Sequence, residues 1–396
     1  MSQNADIAII GGGLVGMAYA IALKQTLPDC CVALFESTPL GRTTPDPLDS
    51  RAAALNLKSQ KLLDDLGVWP QLGPVAAPIH RIHVSHQGHF GSAVMDASDV
   101  GGGPLGFVAE NHLIGAAFMA RAREVGVSIV MGHQVDCVNS ESMGARVAFV
   151  DGTSVSVALA IIASGDPKLL DSLAIASHVR SSGQSAIVAN VALAGTQTGM
   201  AFERFTANGP LALLPLPSSE PGEQRFNVVW SMASQDVQTH QDLSDADFLK
   251  ALQRAFGWRL GRLRKLGQRS AFALNRRVAT EQHRAGILVA GNAAHTLHPV
   301  AGQGLNLSLF DVEACRVILG DAQTKGAALG SLETLGQFAS IVAGHQANIV
   351  DATDLLSTLF APRGLVLDTP RNTALAALDL LPGLRRRIAR LGTGLR

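Results

Sequence analysis

The chain has 396 residues, of which 47% are hydrophobic and 16% charged, and its 32 basic and 32 acidic residues cancel. This length allows two or three packing units. The balanced charge creates no global field that would favour nucleic acid or acidic ligands. The charged fraction is below the roughly 25% of an average soluble domain, which suits an apolar partner or a homo-oligomer contact.

The cysteine pattern and the N-terminus bear on the compartment. The four cysteines form no C-x-x-C and no metal-ligand spacing, so a reduced, cytoplasmic compartment is predicted. The stretch from Ile7 to Leu23 is uncharged, but three consecutive glycines interrupt it and Asp6 precedes it without a basic residue. It therefore matches neither a signal peptide nor a membrane span.

The first forty residues predict a complete β-α-β unit. Ile7–Ile10 is typical of a buried parallel strand, and the glycine-rich segment Gly11–Gly16 predicts a turn. An apolar helix is expected over Met17–Gln25. A second short strand, Cys31–Phe35, ends at Glu36.

The turn matches G-x-G-x-x-G in the context that dinucleotide binding requires. Gly11 permits the tight turn, Gly13 lets the backbone approach a pyrophosphate, and Gly16 lets helix and strand pack closely. The helix N-terminus offers N–H groups to phosphate, and Glu36 stands about 20 residues later, where a carboxylate binds ribose hydroxyls. The predicted dinucleotide site comprises Gly11, Gly13, Leu14, Val15, Gly16 and Glu36.

Further elements are predicted in chain order. The helices are expected at Ala52–Leu66, Leu113–Arg123 and Leu305–Leu319, and over the last sixty-odd residues. The strands are expected within Ile79–Val94 and at Ser128–Met131, Val155–Ala163, Ala186–Leu193, Arg225–Trp230 and Ile287–Ala290, with a loop at Pro215–Pro221.

Buried strands of the first type return in the middle and late parts of the chain. An α/β fold is therefore predicted, with a Rossmann-type nucleotide-binding domain built from separated segments, an inserted mixed-sheet substrate domain and a helical C-terminal segment. The predicted bounds are 1–75, 100–175 and 272–330 for the first domain, 76–99 and 176–271 for the second, and 331–396 for the helical region.

A second glycine-rich segment, Gly291–Asn306, follows a predicted buried strand and opens a helix. Its small residues would let the backbone lie against a flat ring, and the helix start can stabilise negative charge on a reduced flavin. The segment resembles the flavin loop of the para-hydroxybenzoate hydroxylase superfamily of FAD monooxygenases.

Other segments resemble the ubiquinone-biosynthesis branch of that superfamily, the 2-octaprenyl-6-methoxyphenol hydroxylase group. Asp49–Leu55 with Leu66–Trp69 is similar to its second motif and the following helix, and Ala201–Phe205 with Gly209–Pro215 is similar to a substrate-domain signature. The similarity runs from about residue 5 to residue 320.

The resemblance implies roles for residues of both glycine-rich segments. Arg51 would lie beside the flavin, and Asn292, where most of the superfamily has Asp, would contact the ribityl or phosphate region. The backbone of Pro299 would face the reacting substrate. The residues implied to line the flavin ring are Gly302, Gln303, Gly304, Leu305 and Asn306.

One segment departs from the superfamily pattern. Where the superfamily has an Asp-Gly pair with roles in FAD and nicotinamide binding, this chain has Ser164-Gly165. The glycine is kept and the acid is not, with Asp166 as a candidate substitute. This departure leaves nicotinamide use open.

Histidine and tyrosine usage constrains the chemistry. His80, His83, His86 and His89 recur every third residue, but on a strand that spacing alternates faces, so we predict no metal site and a solvated or rim position. His295 is expected to cap or pack.

Tyr19, in the first helix, is the only tyrosine, so a tyrosine cannot deprotonate a phenolic substrate. Either His298 assists or the substrate needs no strong base.

The function implied by the resemblance is that of an FAD-dependent aromatic monooxygenase. It would hydroxylate a prenylated phenol in ubiquinone biosynthesis with NAD(P)H and O2 through a flavin C4a-hydroperoxide. Two alternatives stay open: a flavoprotein reductase acting on isoprenoid chains, and a degenerate FAD- or lipid-binding scaffold of a ubiquinone-biosynthesis complex.

The tail segment Leu384–Leu391 carries four arginines, and three apolar residues fall at i, i+4 and i+7. One interpretation is a basic amphipathic helix that contacts the inner membrane or a partner complex peripherally. The other is that its apolar face packs on the body of a cytoplasmic protein.

Overall fold

The computed structural model describes residues 5–38, 51–88, 92–196, 199–218, 220–296 and 303–359, and the single residue 383. The predictions for His89, His298, Pro299, Gly302 and the segment Leu384–Leu391 lie outside the described residues, as does the side chain of Gln303.

The strands, in chain order, are β1 Ile7–Ile10, β2 Val32–Glu36, β3 Ala52–Asn56, β4 Ala77–Ile79, β5 Arg81–His86, β6 Ser92–Asp96, β7 Gly106–Glu110, β8 Ser128–Met131, β9 Val135–Glu141, β10 Gly144–Phe149, β11 Ser154–Val157, β12 Leu159–Ile162, β13 Ser177–Ala194, β14 Met200–Thr206, β15 Gly209–Leu216, β16 Glu223–Ala233, β17 Leu263–Leu266, β18 Ser270–Ala279, β19 His283–Arg284, β20 Ile287–Val289 and β21 His295–Thr296.

The α-helices are α1 Leu14–Thr26, α2 Leu57–Asp65, α3 Trp69–Leu72, α4 Asn111–Glu124, α5 Pro167–Ser172, α6 Ser234–Gln241, α7 Asp245–Phe256, α8 Gln303–Thr324 and α9 Leu332–Leu359. Within the described ranges, no helix is both long and apolar enough to cross a membrane.

A six-stranded sheet in the order β19-β20-β12-β1-β2-β8 forms the first layer. Strands β20, β12, β1, β2 and β8 run parallel, and β1 and β12 are fully buried. Helices α1, α4 and α8 cover one face, and the small β11-β10-β9 sheet packs on the other. Because both faces are covered, these strands are continuous apolar runs, as the sequence predicted.

The second layer is a large sheet whose main path is β21-β18-β13-β16-β15-β14-β5-β6, with β17 paired to β13. Its pairs are antiparallel except β14 with β5, so the sheet is mixed, as predicted. Helices α6 and α7 cover one face through a core that includes Trp230 and Phe248.

A three-stranded sheet in the order β3-β7-β4 lies between the two layers. Its residues Ile79 and Val108 share a hydrophobic cluster with Ala201 and Leu216 of the large sheet. The buried ion pair between Glu110 Oε1 and Arg225 Nη2, at 2.9 Å, joins the same two sheets. Strand β4 belongs to the predicted substrate domain and pairs with β7, which belongs to the predicted nucleotide-binding domain. The division into domains remains a prediction.

Three secondary-structure predictions were wrong in part. The predicted helix Ala52–Leu66 begins as strand β3, which pairs with β7, and the helix starts only after Asn56, whose side chain accepts a hydrogen bond from Ser59 N at 2.8 Å. The predicted strand Val155–Ala163 is two strands in different sheets. The predicted loop Pro215–Pro221 starts later, because β15 continues to Leu216.

The predicted rim position was wrong for His83 on β5, which is only 3% exposed and packs 5.8 Å from the Phe202 ring. Burial, with Arg259 nearby, lowers its pKa below the usual range. His80 is exposed and His86 is half-buried. Among the described residues, no cluster of three His, Cys, Asp or Glu side chains could hold a metal.

Candidate cofactor and substrate site

The first glycine-rich turn has the geometry of a phosphate cradle. Gly11 has φ +106°, and a Cβ there would lie 2.9 Å from Ser164 N; a Cβ on Gly16 would lie 1.9 Å from Gly11 O. By contrast, a Cβ on Gly13 would meet nothing in the described part of the chain within 4 Å. Gly13 is the N-cap of α1, and none of the described side chains caps that helix. Open space therefore adjoins a helix N-terminus, which fits an anionic ligand.

Glu36 stands at the end of β2 against this turn. Its Oε2 accepts a hydrogen bond from Gly12 N at 2.6 Å, and its Oε1 accepts one from Thr38 N at 2.8 Å. These bonds fix the carboxylate beside the turn, where the ribose of a dinucleotide is expected. Its contact with ribose remains a prediction.

The second glycine-rich segment packs on the first turn. Gly291 has φ +57°, and a Cβ there would lie 2.9 Å from Val15 Cγ1, so the two turns touch at this position. Asn292 is exposed, and its carbonyl accepts a hydrogen bond from Thr296 Oγ1 at 3.2 Å. Leu14 packs towards α4, where its Cδ2 would lie 3.7 Å from a Cβ on Gly115.

The start of α8 is tied to strand β3 by Asn306. Its Oδ1 accepts a hydrogen bond from Asn56 N at 2.9 Å, and its Nδ2 donates one to Ala54 O at 2.8 Å. A Cβ on Gly304 would meet nothing within 4 Å, while Leu305 packs partly buried against the core. Asn306 thus orients the first turn of α8 by holding the backbone of a neighbouring strand.

Arg51 precedes β3, and its guanidinium lies 5.4 Å from the centre of the Phe272 ring on β18. Residues from the nucleotide-binding segments and the large sheet therefore meet here. Near the first turn, the Asp166 carboxylate accepts a hydrogen bond from Lys168 N at 3.0 Å and so caps α5.

His295 has the packing role expected of it. Its Nε2 lies 2.8 Å from Asp311 Oδ2, and Gln346 Nε2 donates to the same oxygen at 3.0 Å. The side chains of His295 and Asp311 are 2% and 3% exposed. No sequence pattern marks Asp311 as the partner of His295, because Asp311 lies inside α8, 16 residues further along the chain.

Asp311→Ala is expected to lower the free energy of unfolding by about 3 kcal/mol, because two buried side chains then lose their hydrogen-bond partner. Glu313→Ala is the matched control on the same helix, since its pairing with Arg316 is partly exposed. Denaturant titration measures both variants. Equal effects for the two would contradict a structural role for the buried network.

The large sheet presents a partly exposed row towards the site. Val188, Val229, Ala212, Glu203 and Val84 are directly paired across five neighbouring strands, so they share one face. All five are partly exposed. The row spans about 19 Å at the usual spacing between strands.

On the same face of the large sheet, a further row of paired residues lies on each side of the partly exposed row, and these two rows show what borders it. Phe272, which Arg51 covers, pairs with Ala186 in one of them. Leu214 and Ile82 in the other pack against the three-stranded sheet. The partly exposed row therefore lies between Arg51 and the three-stranded sheet, and we call this partly open face the candidate cleft. On the opposite face, the core under α6 and α7 is closed.

A comparison with protein families matches residues 4–340 to the family described as "FAD binding domain". The chain belongs to this FAD-binding family. The predicted cofactor, FAD, is thereby confirmed.

Three curated relatives span nearly the whole chain. Ubiquinone hydroxylase UbiL of Rhodospirillum rubrum is 29% identical, with 98% of this chain and 90% of the relative covered. The 3-demethoxyubiquinol 3-hydroxylase of Escherichia coli is 27% identical, with 100% of both covered. The mitochondrial ubiquinone biosynthesis monooxygenase COQ6 of Danio rerio is 25% identical, with 97% and 88% covered.

Solved structures share the fold. p-Nitrophenol 4-monooxygenase PnpA from Pseudomonas putida superposes with a TM-score of 0.80 at 17% identity, covering 100% of both chains. PqsL of Pseudomonas aeruginosa, a probable FAD-dependent monooxygenase, gives 0.75 at 18% identity, covering 94% of this chain and 99% of that one. The predicted fold class and enzyme class are confirmed: the protein is an FAD-dependent monooxygenase.

Proposed function

We propose that the protein hydroxylates a prenylated phenol in ubiquinone biosynthesis, using FAD, NAD(P)H and O2. The observation that carries this proposal is the partly exposed, largely apolar row of the large sheet that lies between Arg51 and the three-stranded sheet. Its span of about 19 Å suits an aromatic ring with an isoprenoid chain better than a small polar substrate. The names of the curated relatives support the same pathway.

The residues of the first turn fit FAD because the N-terminus of α1 adjoins open space and the strand-end carboxylate of Glu36. The turn and the start of α1 would hold the pyrophosphate, and Glu36 the ribose. Arg51, Asn292 and the first turn of α8 would lie along the flavin. Bound FAD supplies electron transfer from NAD(P)H and the activation of O2 for transfer of one oxygen atom to the ring.

The chain's own contribution is binding, orientation and exclusion of water. The apolar side chains of the row, such as Val188 and Val229, would desolvate the prenylated ring. Exclusion of water also protects activated oxygen from unproductive decay. The Ser164-Gly165 departure leaves the close packing at the first turn in place, because the backbone of Ser164 still lies against Gly11.

We further propose a cytoplasmic protein whose tail segment Leu384–Leu391 makes a peripheral contact with the inner membrane or with a biosynthetic complex. A lipid-soluble substrate and four arginines in eight residues support this proposal. The bounds 1–75, 100–175 and 272–330 remain our proposal for the FAD-binding domain.

Deletion of the gene followed by mass spectrometry of quinone precursors tests the proposal. The expected result is accumulation of a prenylated phenol that lacks one hydroxyl group, restored to normal by the wild-type gene. An unchanged quinone profile would argue against this pathway. Turnover of an isoprenoid substrate without O2 would instead identify a flavoprotein reductase.

A further inference from the structure

Glu203 is the one ionisable side chain in the partly exposed row. On β14 it pairs directly with Ala212 on β15 and with Val84 on β5, and both neighbours are apolar. The residue is only partly exposed. A carboxylate in such surroundings loses hydration that apolar neighbours cannot replace. A ligand that donates a hydrogen bond to the carboxylate would replace this lost hydration.

The carboxylate makes no hydrogen bond or ion pair within the part of the chain that the structure describes. Two fully buried acids behave differently: Glu110 is bonded to Arg225, and Asp311 to His295 and Gln346. Burial raises the pKa of Glu203 to about 7.

The charged groups around this face do not neutralise the carboxylate. His86, half-buried on β5, is the nearest titratable residue of the same face, two positions beyond the paired Val84. Arg204 points to the other face, where its Nε donates to Ala255 O at 3.1 Å. Asp99, next to Val100 of the cluster that contains Leu214 and Ile82, accepts a hydrogen bond from Asp96 N at 3.0 Å. Burial is the cause of the raised pKa, with no contribution from a neighbouring charge.

We infer that the Glu203 carboxylate binds the phenolic hydroxyl of the substrate and accepts its proton as the ring is hydroxylated. This inference rests on the proposed function. The phenolic O–H bond breaks and a carboxyl O–H bond forms, without any change in oxidation state at Glu203, and the proton returns to water after product release.

Two other side chains of the described residues that could act as a base do not reach this face of the sheet. The only tyrosine, Tyr19, is fully buried in α1. His83 lies on the closed face of the sheet, beside Phe202. A general base is most effective when its pKa is near the working pH, and Glu203 meets that condition.

The raised pKa makes a prediction that needs no substrate. An unfolded Glu ionises near 4.5, whereas folded Glu203 stays protonated up to about 7. The folded state therefore holds more protons in this window, and stability falls as pH rises through it. As the pH rises from about 5 to about 8, the melting temperature of the wild type should decrease relative to that of Glu203→Gln. A melting-temperature difference that stays constant over this range would show that the carboxyl is not desolvated and would overturn the inference.

The binding test uses FAD-loaded protein with 2-prenylphenol and its methyl ether, which cannot donate a hydrogen bond. Calorimetry is run at about pH 6 and about pH 8, on either side of the raised pKa. The proteins are the wild type, Glu203→Gln and Glu141→Gln, a control far from the cleft on β9. At the higher pH the wild type and the control should prefer the phenol by at least about tenfold, the usual scale for a charged hydrogen bond.

At the lower pH, phenol binding to the wild type should release a proton, because it favours ionised Glu203. In Glu203→Gln the preference should shrink and lose its pH dependence, and proton release should vanish. The variant should also lower kcat by about 10²-fold or more and lose the rise in kcat near neutral pH. If all three proteins show the same preference for the phenol over its methyl ether and the same proton release, the inference about Glu203 is overturned, while the proposed phenol substrate stands. If none of them binds either compound, the proposed phenol substrate is wrong as well.

Discussion

Gly13→Val is expected to fold normally and to be purified without FAD. The backbone at Gly13 has φ −67°, which valine adopts readily, and a Cβ there would meet no atom of the described residues within 4 Å. The added side chain would therefore cost the apoprotein little. It would instead occupy the space through which a pyrophosphate reaches the N–H groups of α1. We expect the affinity for FAD to fall by at least about 10²-fold, equivalent to about 3 kcal/mol.

The measurement is flavin absorbance per protein after purification, followed by titration of the apoprotein with FAD. Gly103→Val is the matched control, because Gly103 is exposed and its Cβ would also meet nothing within 4 Å. The control should keep full flavin content. A folded Gly13→Val protein with full flavin content would place the pyrophosphate elsewhere.

Glu110→Ala is expected to lower the free energy of unfolding by about 3–5 kcal/mol, because it leaves a buried guanidinium without its carboxylate. The side chains of Glu110 and Arg225 are 7% and 4% exposed, and after the change Arg225 Nη1 would still donate a hydrogen bond to Pro217 O, a neutral acceptor. The pair joins the three-stranded sheet to the large sheet, so its loss should also loosen the cleft. Denaturant titration measures the effect.

Replacement of both partners separates two effects on the free energy of unfolding: the penalty for an unpaired buried charge and the net contribution of the ion pair. Glu110→Leu combined with Arg225→Met should recover most of the lost stability, since it leaves no buried charge uncompensated. Arg81→Ala is the surface control, because its pairing with Asp96 is about half exposed and 4.0 Å long. A loss for Glu110→Ala no larger than the control's would contradict the account of this pair.

The sequence predicted the first β-α-β unit well because its signals are local. Strand, glycine spacing and acid lie within thirty residues, and the structure places Glu36 against Gly12 as that spacing requires. Strand β3 was misread because a run of alanines favours helix, whereas its pairing with β7 depends on residues about fifty positions away.

The rest of the site depends on pairing that no local pattern reveals. Glu110 and Arg225 are 115 residues apart. His295 contacts Asp311 only because α8 packs beside β21. Glu203 belongs to the segment Ala201–Phe205, which resembles a substrate-domain signature, yet its place in the row follows only from the registers of β5, β14 and β15. Because successive side chains of a strand alternate between the two faces of a sheet, Glu203 must face away from Phe202 and Arg204. The sequence does not indicate which of the two faces borders the cleft.

Isotope labelling tests the central claim most directly. FAD-loaded protein is incubated with NAD(P)H, 2-prenylphenol and ¹⁸O₂, and the product is analysed by mass spectrometry. The account predicts a hydroxylated phenol that carries one ¹⁸O atom for each NAD(P)H consumed. Product formed under nitrogen, or a new hydroxyl group with oxygen derived from water, would contradict it.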